Sequence, residues 1–174
     1  TISAVDLNIP DCPPATLDYT LSVTAATLIE ETGFESGIWD PVPDTAYATF
    51  VEEINGWKSS TGTSELRNNV VQDGDAAEGT QFIELNTDPR DNFPDSSDIY
   101  KELRTVAGEN YTIKVQYAGR PGYDATVNRF EILVDDVSQG FWNDDQSSNT
   151  TDIHDWKEAV VTFTAGTDST KVEF

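Results

Sequence analysis

Apolar and polar residues alternate in short runs along much of the chain. A period of two over four to eight residues, rich in Val, Ile, Thr, Tyr and Phe, predicts β-strands with one buried face. The runs are LDYTLSVTA, AYATFVEEI, TQFIELN, YTIKVQYA, RFEILVD and AVVTFTA, followed by KVEF at residues 171–174. The segments between them, such as NGW, GTS, DGD, TDPRDNFPD, GRPG and TAGTDST, are typical of turns and loops.

This pattern predicts an all-β domain. The best helical candidate, AATLIEET, is short and runs into Gly33. Two packed antiparallel sheets are the simplest way to bury so many alternating faces, so we expect an antiparallel β-sandwich with long loops. We expect one domain over residues 1–174, in which residues 1–18 form an arm leading into a sandwich of residues 19–174. The arm contains PDCPPAT, whose prolines cannot join a central strand.

The net charge of the chain argues against some classes of binding partner. The chain of 174 residues has 32 Asp and Glu against 10 Lys and Arg, which gives a formal net charge of -22. Such a charge repels phosphate groups, so we expect neither a nucleic acid nor a membrane as partner. Cys12 is the single cysteine, so no internal disulfide can form. Bound cations would relieve the self-repulsion of the folded chain.

Acidic loops are the main candidates for cation binding. Clustered carboxylates with Asn and backbone carbonyls nearby supply the six to eight oxygen ligands that Ca²⁺ takes. The candidate ligands in these loops are Asp73, Asp75, Asp88, Asp91, Asp95, Asn143, Asp144 and Asp145. Their spacing matches neither an EF-hand nor the glycine-rich nonapeptide repeat, and each loop could instead be solvated. We expect several bound calcium ions.

Glu35 and Glu173 form a second possibility for calcium. If the first and last strands lie side by side, these two carboxylates could share one structural ion that ties the ends together. The alternative is that both side chains point to solvent, and the sequence alone slightly favours it.

Catalytic patterns are weak in this chain. His154, in DIHDW, is the single histidine and has no neighbouring nitrogen or thiolate ligand. The sequence also lacks the GxSxG motif of a serine hydrolase. We therefore expect a structural or surface histidine and a protein that is not an enzyme.

The stretch YAGRPGYDATVNRFE places arginines between two predicted strands of an acidic chain. Arg120 lies in a Gly-Pro turn that can hold it rigidly, and its planar guanidinium suits a carboxylate ligand. Asp124 and Asn128 could bind calcium or orient this arginine, while an Arg120–Asp124 salt bridge is the structural alternative. Arg129 begins the alternation RFEILVD and is predicted to lie at a strand edge.

Two aromatic residues could serve a sugar ligand. Trp142 stands beside NDD in a predicted loop, and Tyr123 follows the Gly-Pro turn. An aromatic ring can cover the apolar face of a pyranose, while vicinal hydroxyls replace waters on a calcium ion. A glycan and a peptide carboxylate would therefore use nearly the same residues.

Several segments resemble a known group of modules. GFESG, INGW, AAEGTQFIELN, YTIKVQYAGRPGYDATVNRFEILVD and DWKEAVVTFTAGTDSTKVEF, in this order, resemble galactose-binding-like jelly rolls and carbohydrate-binding modules of large secreted bacterial proteins. The chain looks most like the ligand-binding domains of RTX adhesins, the calcium-dependent surface proteins of Gram-negative bacteria. The resemblance covers residues 29–174, and AAEG-QF-ELN and YAGRPG-D---NRFE are its most specific parts.

The resemblance implies a function. It implies a monomeric, calcium-dependent module on the bacterial cell surface, beside other domains of a long adhesin, that mediates cell adhesion and biofilm formation. The peptide-binding type binds exposed peptide C termini on other cells; a lectin-like module and a structural spacer are the alternatives. The ligand-binding candidates are Arg120, Asp124, Asn128, Trp142 and Tyr123.

Overall fold

A computed structural model describes residues 33–35, 48–62, 64–68, 76–85, 98–151 and 153–174. Within these ranges the regular elements are β-strands, and each strand pair is antiparallel, which confirms the predicted all-β fold. The strands are β1 (Ala48–Val51), β2 (Glu53–Ile54), β3 (Trp57–Lys58), β4 (Ser64–Asn68), β5 (Gln81–Glu84), β6 (Tyr100–Arg104), β7 (Asn110–Tyr117), β8 (Arg129–Val134), β9 (Val137–Asn143), β10 (Lys157–Thr164) and β11 (Ser169–Glu173).

The described strands form three hydrogen-bonded sheets. Their orders are β1-β4-β5, β10-β7 and β2-β3-β6-β11-β8-β9. The two-stranded sheet is regular over its whole length, with partners from Lys157↔Tyr117 to Thr164↔Asn110. These sheets fit the expected sandwich, whose jelly-roll order stays a prediction. In the same residues, no helix is long and apolar enough to cross a membrane.

Most of the alternating runs coincide with strands. AYATFVEEI contains β1 and β2, TQFIELN contains β5, YTIKVQYA lies on β7, RFEILVD on β8, AVVTFTA on β10 and KVEF on the end of β11. On β7 exposed and half-buried side chains alternate over eight residues, as a strand with one solvent face requires. The run LDYTLSVTA, the helical candidate AATLIEET and the arm of residues 1–18 lie outside the described residues.

Four strands did not stand out as alternating runs, and one of them, β3, begins at Trp57 of the predicted turn NGW. All five side chains of β4 are buried, including the charged Glu65 and Arg67, so burial does not alternate along this strand. β6 has the polar sequence YKELR. On β9 the register shifts opposite Ile132 and Leu133, next to Gly140, and such a bulge breaks the period of two. The prediction of a loop at Trp142 is therefore wrong, because this residue lies on β9.

Two hairpins have two-residue turns with both central residues at positive φ. Asn55 and Gly56 join β2 to β3 with φ of 51° and 83°, and Asp135 and Asp136 join β8 to β9 with φ of 49° and 62°. This combination defines a type I′ turn, whose twist matches that of the flanking strands. The Asp135 carboxylate also accepts a hydrogen bond from the backbone N–H of Lys171 at 2.8 Å, which ties the second turn to β11.

Phe174 joins the two parts of the core. One cluster of buried residues includes Trp57 and Leu66, the other is centred on Ile132, and Phe174 packs against both. Its ring stacks on Trp57 with centroids 5.3 Å apart. Its backbone exchanges two hydrogen bonds with Ile99, of 3.0 and 2.9 Å. The end of β11 therefore fixes the relative position of the two clusters.

Replacing the buried Ile132 with alanine should destabilise the fold strongly. Ile132 is fully buried, so Ile132→Ala leaves a cavity and should lower the free energy of unfolding by about 2–5 kcal/mol. Ile153→Ala removes the same atoms from a side chain that is 61 % exposed and should cost less than about 0.5 kcal/mol. Urea unfolding of both variants measures the difference, and equal losses would contradict the core described above.

Candidate ligand-binding site

A cavity of about 290 Å³ lies between β5 and the adjoining ends of β7 and β8. Its wall is mainly apolar. The apolar lining residues are Phe34, Phe82, Ile83, Leu85, Ile99, Val115, Tyr117, Ala118, Val127, Phe130, Trp156 and Phe174. The side chain of Arg120 and the residue Tyr123 are each 48 % exposed, so they mark the mouth of the cavity.

The mouth is formed by a loop, residues 118–128, which Asn128 closes. The Asn128 side chain accepts a hydrogen bond from the Arg120 N–H at 2.9 Å and donates to the carbonyls of Arg120 and Tyr123, both at 3.0 Å. A Cβ on Gly119 would lie 2.6 Å from Nδ2 of Asn128, so glycine is required there. Asn128 therefore holds the backbone of Arg120 in place, while the two roles considered for it, binding calcium and orienting the arginine, stay predictions.

A buried carboxylate holds the other side of this loop. The Asp144 side chain is 1 % exposed and accepts hydrogen bonds from the Gly119 N–H at 2.9 Å, from Gln146 Nε2 at 2.7 Å and from the Lys157 ammonium. Burial raises the pKa of the Asp144 carboxyl, but these three donors outweigh it and leave the pKa below its usual value. The carboxylate thus joins the loop to the start of β10.

Backbone bonds and Asp124 complete the support of the loop. Gly122 N–H donates to the carbonyl of Gln146 at 2.9 Å, and Gln146 N–H donates to the carbonyl of Tyr123 at 3.0 Å. Asp124 accepts from the N–H and hydroxyl of Thr126 at 2.8 and 2.5 Å, and the Thr126 hydroxyl is the main cause of a lowered Asp124 pKa. Asp124 therefore stabilises a local turn.

Arg120 forms an ion pair with a residue on another strand. Its Nη1 lies 3.6 Å from Oε1 of Glu84 on β5, rather than forming the Asp124 salt bridge considered from the sequence. Glu84 also pairs with Arg67, whose Nε lies 3.0 Å from Oε1 of Glu65. The side chains of Arg67 and Glu65 are only 10 % and 6 % exposed. Among the described residues, Arg120 is therefore the most exposed member of a chain of ion pairs that contains two arginines and two glutamates.

Three rings that the sequence did not assign to a site form one wall. Phe82 lies edge-on to His154 at 5.4 Å and to Trp156 at 5.8 Å between ring centroids. Their positions depend on contacts between β5 and the segment before β10, which no local pattern reveals. His154 is half-buried in this aromatic wall, and its expected role as a structural or surface histidine stays a prediction.

The two aromatic candidates for sugar stacking are in different places. Trp142 packs against Phe130, with ring centroids 5.8 Å apart, and contributes to the second core cluster. Tyr123 lines the cavity mouth, and Cζ of Arg120 lies 6.0 Å from its ring centroid. Tyr123 is therefore placed to contact a ligand, whereas Trp142 stabilises the core.

Glu35 and Glu173 contact different partners. The Glu35 carboxylate accepts hydrogen bonds from the N–H and hydroxyl of Thr80 and from the Gln81 N–H, each at 2.8 Å. Glu173 pairs with Lys171 at 2.5 Å, and its strand has β6 and β8 as neighbours at this position. The calcium ion shared by the two glutamates stays a prediction.

Of the other calcium candidates, Asn143, Asp144 and Asp145 lie in the described residues. Asn143 ends β9 opposite Arg129, and Asp145 has a lowered pKa, chiefly because of hydrogen bonds from Ser147. Asp144 already accepts three donors, so calcium there would have to displace Lys157. The described residues contain no group of three or more Asp, Glu, His or Cys placed to hold a metal ion. The remaining candidates, Asp73, Asp75, Asp88, Asp91 and Asp95, lie outside the described residues.

The chain matches no model of a known protein family. It also has no significant match among curated proteins. The proposals on its function therefore rest on the geometry of the cavity and its mouth, together with the sequence.

Removing the Asp144 charge should weaken the fold in a pH-dependent way. The folded-state pKa of this carboxyl is lowered, so the ionised carboxylate stabilises the fold. This stabilisation is complete above the unfolded-state pKa of about 3.9, and it is lost as the pH falls through the lower pKa of the folded state. Asp144→Asn should therefore cost about 1–3 kcal/mol of unfolding free energy at pH 7, and this cost should shrink below about pH 4.

Denaturant unfolding between pH 2.5 and pH 7 measures this dependence. Asp168→Asn is the matched control, because Asp168 is exposed in the turn before β11, and it should change stability by less than about 0.5 kcal/mol. A constant cost of Asp144→Asn over the whole pH range would show that its charge does not stabilise the fold.

Proposed function

We propose that this domain is a calcium-dependent binding module of a bacterial surface adhesin, which binds exposed peptide C termini on other cells and catalyses no reaction. The observation that carries the proposal is the position of Arg120. Its half-exposed guanidinium lies at the mouth of an apolar cavity. A planar guanidinium can donate two parallel hydrogen bonds to a carboxylate, which every free peptide C terminus presents.

The fixed loop supports binding at this position. Asn128 holds the backbone of Arg120, and Asp144 holds Gly119 beside it. A receptor that is ordered before the ligand arrives loses less conformational entropy on binding. Because these polar side chains are engaged in holding the loop, the arrangement favours ligand binding over catalysis.

Glu84 is the residue with which a ligand carboxylate would compete for Arg120. At 3.6 Å its contact with Arg120 is longer than a normal hydrogen bond, while its contact with Arg67 is closer. An incoming carboxylate would compete with Glu84 for Arg120, and Arg67 would still neutralise Glu84 afterwards. The exposed end of the ion-pair chain can therefore accept a ligand without leaving a buried charge unpaired.

Calcium is the cofactor we propose, on the basis of the sequence. The acidic loops at residues 73–75 and 88–95 carry the candidate ligands, in a chain with a net charge of -22. When bound there, calcium would reduce the negative potential of the domain and offer a further receptor for a carboxylate. Because the described residues include no preformed cluster, we assign no ligand of the described part to the ion.

A glycan is the alternative ligand, and the position of Tyr123 favours it. The ring is 48 % exposed beside Arg120, so it could cover the apolar face of a sugar. The packing of Trp142 against Phe130 leaves this single aromatic residue for the purpose among the candidates considered. A calcium-dependent signal on a glycan array, with none on peptides, would favour the lectin alternative.

Arg120→Ala should weaken the binding of free peptide C termini at least tenfold, because a hydrogen bond to a charged group contributes about 1.5–3 kcal/mol. It should leave the melting temperature with calcium nearly unchanged, since the side chain is half exposed. Isothermal calorimetry with peptide acids and the corresponding amides measures the first effect, and differential scanning calorimetry measures the second.

Arg104→Ala is the control for this substitution. Arg104 is an exposed arginine on β6 and should bind as the unsubstituted protein does. Equal affinity of the unsubstituted protein for acid and amide peptides would refute the carboxylate proposal. A loss of both binding and calcium-dependent melting in Arg120→Ala would mean that the arginine is structural.

Calcium should raise the melting temperature. An ion that binds only the folded state adds about 2.7 kcal/mol of stability at a hundred times its dissociation constant. Calorimetric scans in millimolar calcium chloride and in excess EDTA measure this shift, with magnesium chloride as the control for ionic strength. Identical melting temperatures in calcium and EDTA would exclude a calcium-loaded fold.

A further inference from the structure

The cavity points to a preference for one kind of terminal residue. We infer that a large apolar or aromatic side chain of the ligand's last residue enters the cavity while its carboxylate meets Arg120. This inference rests on the proposed function, because it assumes that Arg120 receives a terminal carboxylate. The inference specifies the chemical class of C-terminal residue that a bound peptide would carry.

The volume of the cavity limits what can enter. Pockets that hold drug-sized ligands measure about 300–1,000 Å³, and this cavity, at about 290 Å³, lies at the lower end. It therefore has room for the large side chain of one residue. The rest of the ligand would remain outside, beyond the exposed Tyr123.

The mainly apolar lining of the cavity favours an apolar side chain on the last residue of the ligand. The rings of Phe82, Trp156, Tyr117 and Phe130 line the cavity together with Val115. Apolar surface that leaves water for such a wall gains free energy roughly in proportion to its area, so glycine or alanine would gain little. An acidic side chain would have to lose its hydration in a mainly apolar space whose charged lining includes Glu84 and Asp144 beside Arg67 and Arg129, which is unfavourable.

The two contacts require a C-terminal residue. Only the last residue of a peptide carries its side chain and a free carboxylate on the same Cα atom. Arg120 lines the same cavity as the aromatic wall, so a single residue can reach both. A residue inside a peptide chain would offer the side chain without the charge.

Four short peptides test the inference on the whole domain in calcium. They share an acetylated Gly-Ser-Ser sequence and end in phenylalanine, leucine, glycine or aspartate, each as the free acid and as the amide. We expect the phenylalanine and leucine acids to bind about ten- to a hundredfold more tightly than the glycine acid. We expect the aspartate acid to bind no better than the glycine acid.

The pattern of results separates the inference from the proposed function. Acids that bind better than amides, with equal affinity for phenylalanine and glycine, would overturn the inference and leave the proposed function standing. Equal binding of acids and amides would overturn both. A phenylalanine preference confined to the acids supports both.

Filling the cavity provides a second test. Val115→Phe adds a ring inside the cavity, while Val160→Phe adds the same ring on the neighbouring strand, at a side chain that is 48 % exposed. Val115→Phe should abolish the preference for phenylalanine over glycine but keep the preference for acid over amide, whereas Val160→Phe should change neither. If Val115→Phe kept the phenylalanine preference, the side chain would bind elsewhere. If this variant does not fold, the peptide series on the unsubstituted protein decides.

Discussion

The buried carboxylate of Asp144 is the interaction on which the candidate site depends. It directly follows β9, and its three donors come from the Arg120 loop, from its own segment and from the first residue of β10. An unpaired charge at this depth would be strongly unfavourable, so the donors must converge for the chain to fold. Through the Gly119 N–H this carboxylate fixes the backbone next to Arg120, while Asn128 holds the backbone of Arg120 itself.

The sequence predicted the strands in which one face meets the core and the other meets water. β7, β8 and β10 alternate in this way, and hydrophobic periodicity is sufficient to find them. β4 was missed because its charged residues are buried and paired with each other, and β9 because a bulge beside Gly140 interrupts the alternation. Tertiary contacts determine both the burial of β4 and the bulge in β9, and a local sequence pattern does not reveal these contacts.

Only part of the candidate site was predictable from the sequence, because a local pattern does not reveal tertiary contacts. The sequence singled out Arg120, in its Gly-Pro turn, together with Asn128, and short-range hydrogen bonds join these two residues. The Arg120 partner Glu84 and the aromatic wall at Phe82 come from β5, far away in the sequence, so no spacing rule could find them. Acidic composition pointed to Asp144 as a calcium ligand without revealing Lys157, because ion pairing depends on the fold rather than on the count of charges.

The ion pair of Arg120 with Glu84 has a kinetic consequence. In the part of the chain that the structure describes, two arginines and two glutamates take part in these contacts, so these four charges cancel at a distance. An approaching anion therefore experiences the field of the whole domain, with its net charge of -22, until it is close to the mouth. Salt screens that repulsion over about 10 Å at 0.1 M, so added salt accelerates the encounter of an anionic ligand with this protein. The usual electrostatic steering of ligands by charged receptors has the opposite salt dependence.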